Sequence, residues 1–321
     1  MKMHTAGCAT VSGSVANVQR HGSCKISPHR NVVSIPLFQE KFHAQPMLSK
    51  RNVSTPAAIV EDATPSDGEV VPISGLLPPA DDRYKGMKVL VAGATGGVGK
   101  AVVKQLASQN ITVRALVRDA VKASSRLPGI DQDVEIVEGD VASNFGSVRR
   151  AVEGIDAIIC CTGPTDRFNP LHPFQVDFQG TENLIAAAKQ AGSVKKIVYV
   201  SSIGVDDIFF PLNAFWGVLF WKKQGELAIQ RSGIDYTIIR PGGLLNEIKN
   251  GRGDGGVVAA GADAFGLPPR RMPGSILRTD VADGCVVALV APEASNKVVE
   301  VITEKNQTRR AWAEVFATVS A

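Results

Sequence analysis

From residue 88 onward, apolar positions follow two alternating periods. Short runs, the first being Val89-Leu90-Val91-Ala92, suit strands buried on both faces. After that run, Val98, Val102, Val103 and Leu106 recur at helical spacing and predict a helix over 97–109. The same reading predicts further strands at Ile111–Val117, Val134–Val137, Ala157–Cys161, Lys196–Ser201 and Tyr236–Arg240. It places helices at 144–152, 176–191 and 214–231, with Gly233 as a left-handed cap just past the last of these. Strand and helix in strict alternation specify an α/β fold, a doubly wound parallel sheet. Beyond it, Asn250–Gly261 reads as a glycine-rich mobile loop, Asp280–Val290 as a helix, Val298–Ile302 as a strand and Arg310–Val319 as a closing helix. Residues 87–321 are thus expected to form one domain, with 245–321 as a small C-terminal lobe on the substrate side.

In a doubly wound sheet, ligands sit at the carboxyl ends of the strands, so the residues there are the candidates. The first strand runs into Gly93-Ala94-Thr95-Gly96-Gly97-Val98-Gly99 and then a helix. Gly93 permits a tight turn, and Gly96 and Gly97 let the backbone approach a pyrophosphate. Gly99 allows close packing of helix on strand, and the helix end offers unpaired N–H groups to an anion. An ordinary glycine-rich turn is the alternative. Arg118-Asp119 ends the second strand with the base first, which suits a 2′-phosphate and hence NADP; a solvated surface arginine is the competing reading. Asp140 and Val141 lie where an adenine edge could be read, although Asp140 could equally cap the next helix. Thr162-Gly163-Pro164 lets the backbone pass close to a cofactor, or is a plain turn. Ser201 and Ser202 could meet a substrate carbonyl or serve the turn, and Arg240-Pro241-Gly242-Gly243-Leu244 could line a nicotinamide pocket.

The formal charge of +4 changes meaning once it is divided along the chain. Seven of the 35 bases but only one of the 31 acids lie in residues 1–60, so 28 bases face 30 acids in the remainder. The domain therefore has no nucleic-acid footprint. The N-terminal segment is Ser-rich, acid-poor and without strong periodicity, the makeup of a disordered organellar transit peptide, plastid rather than mitochondrial; an unaddressed tail is the alternative. Residues 61–86, acidic and proline-containing, read as a linker. The five cysteines show no ligand spacing, so neither a disulfide framework nor a metal site is expected. The aromatic stretch from Phe209 to Trp221 is too short to span a membrane. It reads first as a core-docked helix with a lid, and second as a patch for a membrane surface or protein partner.

Together, the 93–99 turn, Val117-Arg118-Asp119, Gly139-Asp140-Val141, Val176-Asp177 with Gly180-Thr181 and Asn183-Leu184, Val200-Ser201-Ser202 and Tyr236–Gly243 resemble the atypical short-chain dehydrogenase/reductases, NmrA-like branch. Phe215–Lys222 is similar to the dinucleotide-binding subunits of the chloroplast inner-envelope translocon and their plastid relatives. The resemblance implies a Rossmann fold binding NADP(H) in a plastid, with Gly93, Thr95, Gly96, Gly97 and Val98 at the pyrophosphate, Arg118 at the 2′-phosphate and Asp140 and Val141 at the adenine. Thr162, Gly163 and Lys222 complete the cofactor set. Active family members use a Ser, a Tyr and a Lys; these positions are Ser202, Val218 and Lys222 here. Valine cannot donate the proton that a tyrosine phenol supplies. Neither Tyr84, which precedes the domain, nor the strand residues Tyr199 and Tyr236 is an evident substitute. The expected function is a redox-responsive NADP(H)-binding protein with a regulatory or assembly role. The alternative is an NADPH-dependent reductase or isomerase with another proton donor. The translocon subunit's Pro/Ser-rich reductase-docking tail has no counterpart before Ala321, so docking of that kind is not expected.

Overall fold

A computed structural model describes residues 82–127 and 134–320. The basic segment 1–60 and the linker up to 81 lie outside these residues. The alternation read from the sequence becomes β1 (Lys88–Ala92), α1 (Gly97–Ser108), β2 (Thr112–Val117), a short α2 (Ala120–Ser124), β3 (Val134–Glu138), α3 (Phe145–Val152) and β4 (Ala157–Cys160). A π-helical turn (Phe174–Gln179) then leads into α4 (Gly180–Ala191), followed by β5 (Lys196–Val200), α5 (Val218–Gln230) and β6 (Asp235–Pro241). The C-terminal part adds β7 (Gly243–Leu245), β8 (Gly256–Ala260), β9 (Ser275–Leu277), α6 (Arg278–Ala288), β10 (Lys297–Glu304) and α7 (Trp312–Ala317).

The sheet order is β3-β2-β1-β4-β5-β6-β10-β9-β7, and β3 through β6 with β10 are all parallel. This is the Rossmann arrangement, and the strand order reverses between β1 and β4. Each central strand feeds both faces because side chains alternate. Val89 and Val91 pack beneath α1, α6 and α7, whereas Leu90 and Ala92 pack with residues of α3 and α4. Cys160 and Cys161 divide between the same two faces.

Three expectations are corrected. The glycine-rich stretch 250–261 is not merely a loop: β8 pairs antiparallel with β10, from Gly256 opposite Glu304 to Ala260 opposite Glu300. Tyr84 does not precede the fold. It is buried in the core, and its hydroxyl donates to the Val286 carbonyl on α6. The stretch from Phe209 is not a core-docked helix either, because a 3-10 turn (Pro211–Ala214) with no buried residue precedes α5. Gly233 has the positive φ expected of it, +77°.

Two buried polar groups shape this frame. Arg240 on β6 is enclosed, and its fork donates to both Glu226 oxygens on α5 at 2.9 and 2.7 Å. It also reaches Asp206, and Glu300 on β10 at 3.2 Å. Burial alone would weaken its hold on the proton, but the hydrogen bonds it donates to Glu226, with the carboxylate charges around it, outweigh that and keep the guanidinium charged. On the other face, Asp283 of α6 accepts from Gln105 of α1 at 2.6 Å. Burial, then the neighbouring Asp280, pushes its carboxyl up to about 7. The folded state therefore holds this proton more tightly than the unfolded chain. The contribution of this group to stability is greatest below the ordinary carboxylate range, falls as pH rises toward about 7 and levels off above it. Asp283→Asn keeps an acceptor for Gln105 and removes the charge. It is expected to be about 1–3 kcal/mol more stable than the parent at about pH 8, with the difference shrinking as pH falls and vanishing only near about pH 3, below the ordinary carboxylate range. Thermal melts at the two pH values measure this.

Candidate dinucleotide site

The crevice opens outside the carboxyl ends of β1 and β4, at the reversal of strand order. Gly93 takes φ +78, and a Cβ on it would lie 2.6 Å from the Cys161 carbonyl oxygen. The turn after β1 therefore lies directly against the exit of β4. Gly96 and Gly97 are exposed, Thr95 is half-buried, and Val98 packs into the core. Gly96 caps α1 without a side-chain bond, and the first turn of α1 carries no acid. The leading N–H groups of a twelve-residue helix thus face the crevice with no protein anion beside them. That cradle fits a pyrophosphate.

At the end of β2, the two charges of Arg118-Asp119 are separated by their partners. Asp119 caps α2 by accepting from the Lys122 N–H at 2.9 Å and pairs with the Lys122 ammonium at 2.8 Å. The hydrogen bonds from Lys122 hold its carboxyl below the usual carboxylate range. Arg118 is exposed and reaches Thr165 Oγ1 at 3.3 Å, with no carboxylate partner among the described residues. Asp140 does not cap the next helix. Its Oδ1 accepts from Ala142 N–H at 2.9 Å, while Asn144 caps α3. Val141 is a core residue, its carbonyl taken by Asn183 at 2.7 Å.

Beside the exit of β4 stands Lys222, on the first turns of α5. Its ammonium donates to Asp177 at 2.9 Å and to the Thr162 carbonyl at 3.3 Å. Asp177 is fully buried on the π-helical turn, a local widening of the kind common at functional sites. Burial raises the Asp177 pKa, opposed by Lys222. Tyr199 lies beneath, its ring centroid 5.5 Å from the ammonium, fully buried. Burial and then Asp177 push its phenol well up, so it holds its proton and does not face the crevice. Ser202 turns its hydroxyl to the Ile203 carbonyl at 3.0 Å. Gly163 is exposed, with open space where a Cβ would go.

The structure thus gathers Gly93, Gly96, Gly97 and Thr162 at one mouth and adds Asp177, whose role the sequence reading left unassigned. In the Arg240 turn, Arg240 itself is internal, and Gly242 and Gly243 serve the close approach of β7 to Gly274 and Ser275. Around the Lys222 end the surface is apolar. Phe168 and Phe209 are 93% and 86% exposed, Phe215, Trp216 and Phe220 are exposed beside them in sequence, and the Trp216 indole N–H donates to the Arg167 carbonyl at 3.0 Å. No described helix is long and apolar enough to cross a membrane.

Residues 93–292 match the NAD(P)H-binding family. The chain is 39% identical over 250 residues to an uncharacterized chloroplastic protein of Arabidopsis thaliana, covering 75% of this chain and 85% of that one. It is 33% identical over 240 residues to the chloroplastic protein TIC 62 of Oryza sativa subsp. japonica, where the match covers 67% of this chain but only 46% of the relative. Against sanguinarine reductase of Eschscholzia californica it is 34% identical over 256 residues, covering 67% of this chain and 89% of the enzyme. The glycine turn at the β1–β4 reversal and these matches have one reading: the chain belongs to the NAD(P)H-binding family.

Proposed function

We propose that the protein binds NADP(H) in a plastid and that cofactor occupancy governs a contact made through the aromatic rim beside Lys222. The observation that carries the choice of NADP is the pairing at the end of β2: Asp119 is consumed by α2 and Lys122, which leaves Arg118 as the charge a 2′-phosphate would meet. Gly93, Thr95, Gly96, Gly97 and Val98 would hold the pyrophosphate, Asp140 and the Val141 backbone the adenine, and Thr162, Gly163 and Lys222 the nicotinamide side. The plastid setting is supported by the chloroplastic relatives. The regulatory role is supported by Val218 standing where a phenol would act, and by the exposed aromatic rim of Phe168, Phe209, Phe215, Trp216 and Phe220.

A second reading, reduction of a small metabolite, is favoured by the Lys222–Asp177 pair and by the similarity to sanguinarine reductase. A bound nicotinamide would supply hydride. Lys222, fixed by Asp177, would orient it, and Ser202 would meet the substrate. With no phenol at the site, the acceptor would be one that needs no proton from a protein acid.

Calorimetry with NADPH and NADH tests the cofactor assignment. Arg118→Ala is expected to weaken NADPH about 10- to 100-fold and NADH less than about threefold. Equal effects on both would remove Arg118 from the 2′-phosphate. NADPH consumption with a plastid metabolite, lost in Lys222→Met, would establish the second reading instead of the first.

A further inference from the structure

Arg278 opens α6, far along the chain from the glycine turn, yet its side chain lies across the first residue of α1. A Cβ on Gly97 would sit 2.5 Å from Arg278 Nε and 2.7 Å from its Cδ. One guanidinium nitrogen, Nη1, donates to Asn246 Oδ1 at 2.9 Å and to the Leu244 carbonyl at 3.3 Å, both just past Gly243. These bonds leave Nε, which lies against Gly97, and Nη2 without a partner among the described residues. Among the described residues Arg278 has no carboxylate partner.

This placement sets a permanent cation against the positive end of a helix dipole. Alone, the two sources of positive potential repel each other, and nothing in the first turn of α1 offsets them. The arrangement becomes favourable when an anion lies between the guanidinium and the helix N–H groups, because each then stabilises it. Gly97 lacks a side chain where the arginine stem passes, since a Cβ there would collide with Nε and Cδ.

We infer that Arg278 is a ligand of the cofactor pyrophosphate, delivered to the glycine turn by the C-terminal lobe. The inference rests on the NADP(H) reading above and adds a residue that the glycine motif does not contain. Because the same guanidinium holds Leu244 and Asn246, the pyrophosphate also fastens the end of β7 to the turn after β1.

The test compares two ligands on the full chain by calorimetry: NADPH, and adenosine 2′-phosphate, which has the 2′-phosphate but no pyrophosphate. Arg278→Met is expected to weaken NADPH about 10- to 100-fold and leave adenosine 2′-phosphate within about twofold of the parent. Arg278→Lys, which keeps the charge but loses the fork, is expected to fall between them. Arg118→Ala serves as the contrast and weakens both ligands. Should Arg278→Met and Arg278→Lys both bind NADPH as the parent does, or lose both ligands in equal proportion, Arg278 is a structural residue and the inference is overturned. A parent chain that binds no NADPH overturns the NADP(H) reading along with it.

Discussion

Arg240→Met is expected to lose about 3–5 kcal/mol of folding stability, a large part of the roughly 5–15 kcal/mol that holds a typical domain together. The loss does not come from deleting favourable contacts alone. Glu226 and Glu300 are as buried as the arginine, and Asp206 is close by. Without the guanidinium, Glu226, Glu300 and Asp206 gather with the more exposed Asp263, and the nearby cations are Lys223, 2.5 Å from Asp206 and 3.4 Å from Glu226, and Arg270, 3.9 Å from Asp263. The carboxylates must then take up protons or be hydrated, and either route weakens the native state. Because protonation relieves the repulsion, the variant is expected to recover stability as pH falls, the opposite of ordinary acid denaturation. Denaturant titrations followed by tryptophan fluorescence at several pH values measure both. A midpoint close to the parent's at neutral pH would mean that the cluster is hydrated rather than internal. Arg240→Lys is expected to rescue little, since an ammonium cannot reproduce the two parallel bonds to Glu226.

Gly93→Ala is expected to remove measurable NADPH binding and to cost about 1–3 kcal/mol of stability. Two effects add at this residue. Its φ of +78 is strained for any side chain, and the new methyl would press on the carbonyl of Cys161 and on the N–H of Thr162. Relief of either requires the β1 turn to move away from the β4 exit, which opens the crevice between them. Gly163→Ala supplies the comparison, because nothing lies within 4 Å of the added Cβ. Its stability is expected to match the parent's, so a loss of affinity there would report the cofactor itself. Calorimetry and thermal melts on the two variants separate these outcomes. Unchanged NADPH affinity in Gly93→Ala would show that the turn has slack that its geometry does not reveal.

The parts of this protein that depend on neighbours in sequence were legible in it. Val89–Ala92 followed by glycines and then Val98, Val102 and Leu106 is a local pattern, and β1, its turn and α1 follow from it. Arg118 and Lys222 also stood at readable positions, fixed by strand ends and motif spacing. What the sequence withheld depends on distant partners. Asp177 gains its role by meeting Lys222 across 45 residues, and Arg240 meets Glu300 across 60. Neither pairing leaves a local trace. In 250–261, glycine composition concealed a strand: Gly255 has φ +107, and it and Gly256 are small because they pass against the backbone of Glu304 and of Thr308. The glycines mark a close approach there, where composition alone suggested looseness. Tyr84 was set aside because it precedes the first strand, but a buried phenol can dock onto a helix from either end of a chain.

The place of β10 in the sheet has a consequence for how the protein is made. This strand occupies the outer edge of β6, and it supplies Glu300 to Arg240. As synthesis proceeds from the N-terminus, β6 is complete while its neighbour is still some 56 residues from emerging, counted from Pro241 to Lys297. During that interval β6 presents an unpaired parallel edge and an arginine lacking one of its carboxylates. Such an edge invites pairing with other chains. A nascent chain of this protein is therefore most exposed to misassembly just before its last strand arrives, and chaperone protection is needed most over that interval.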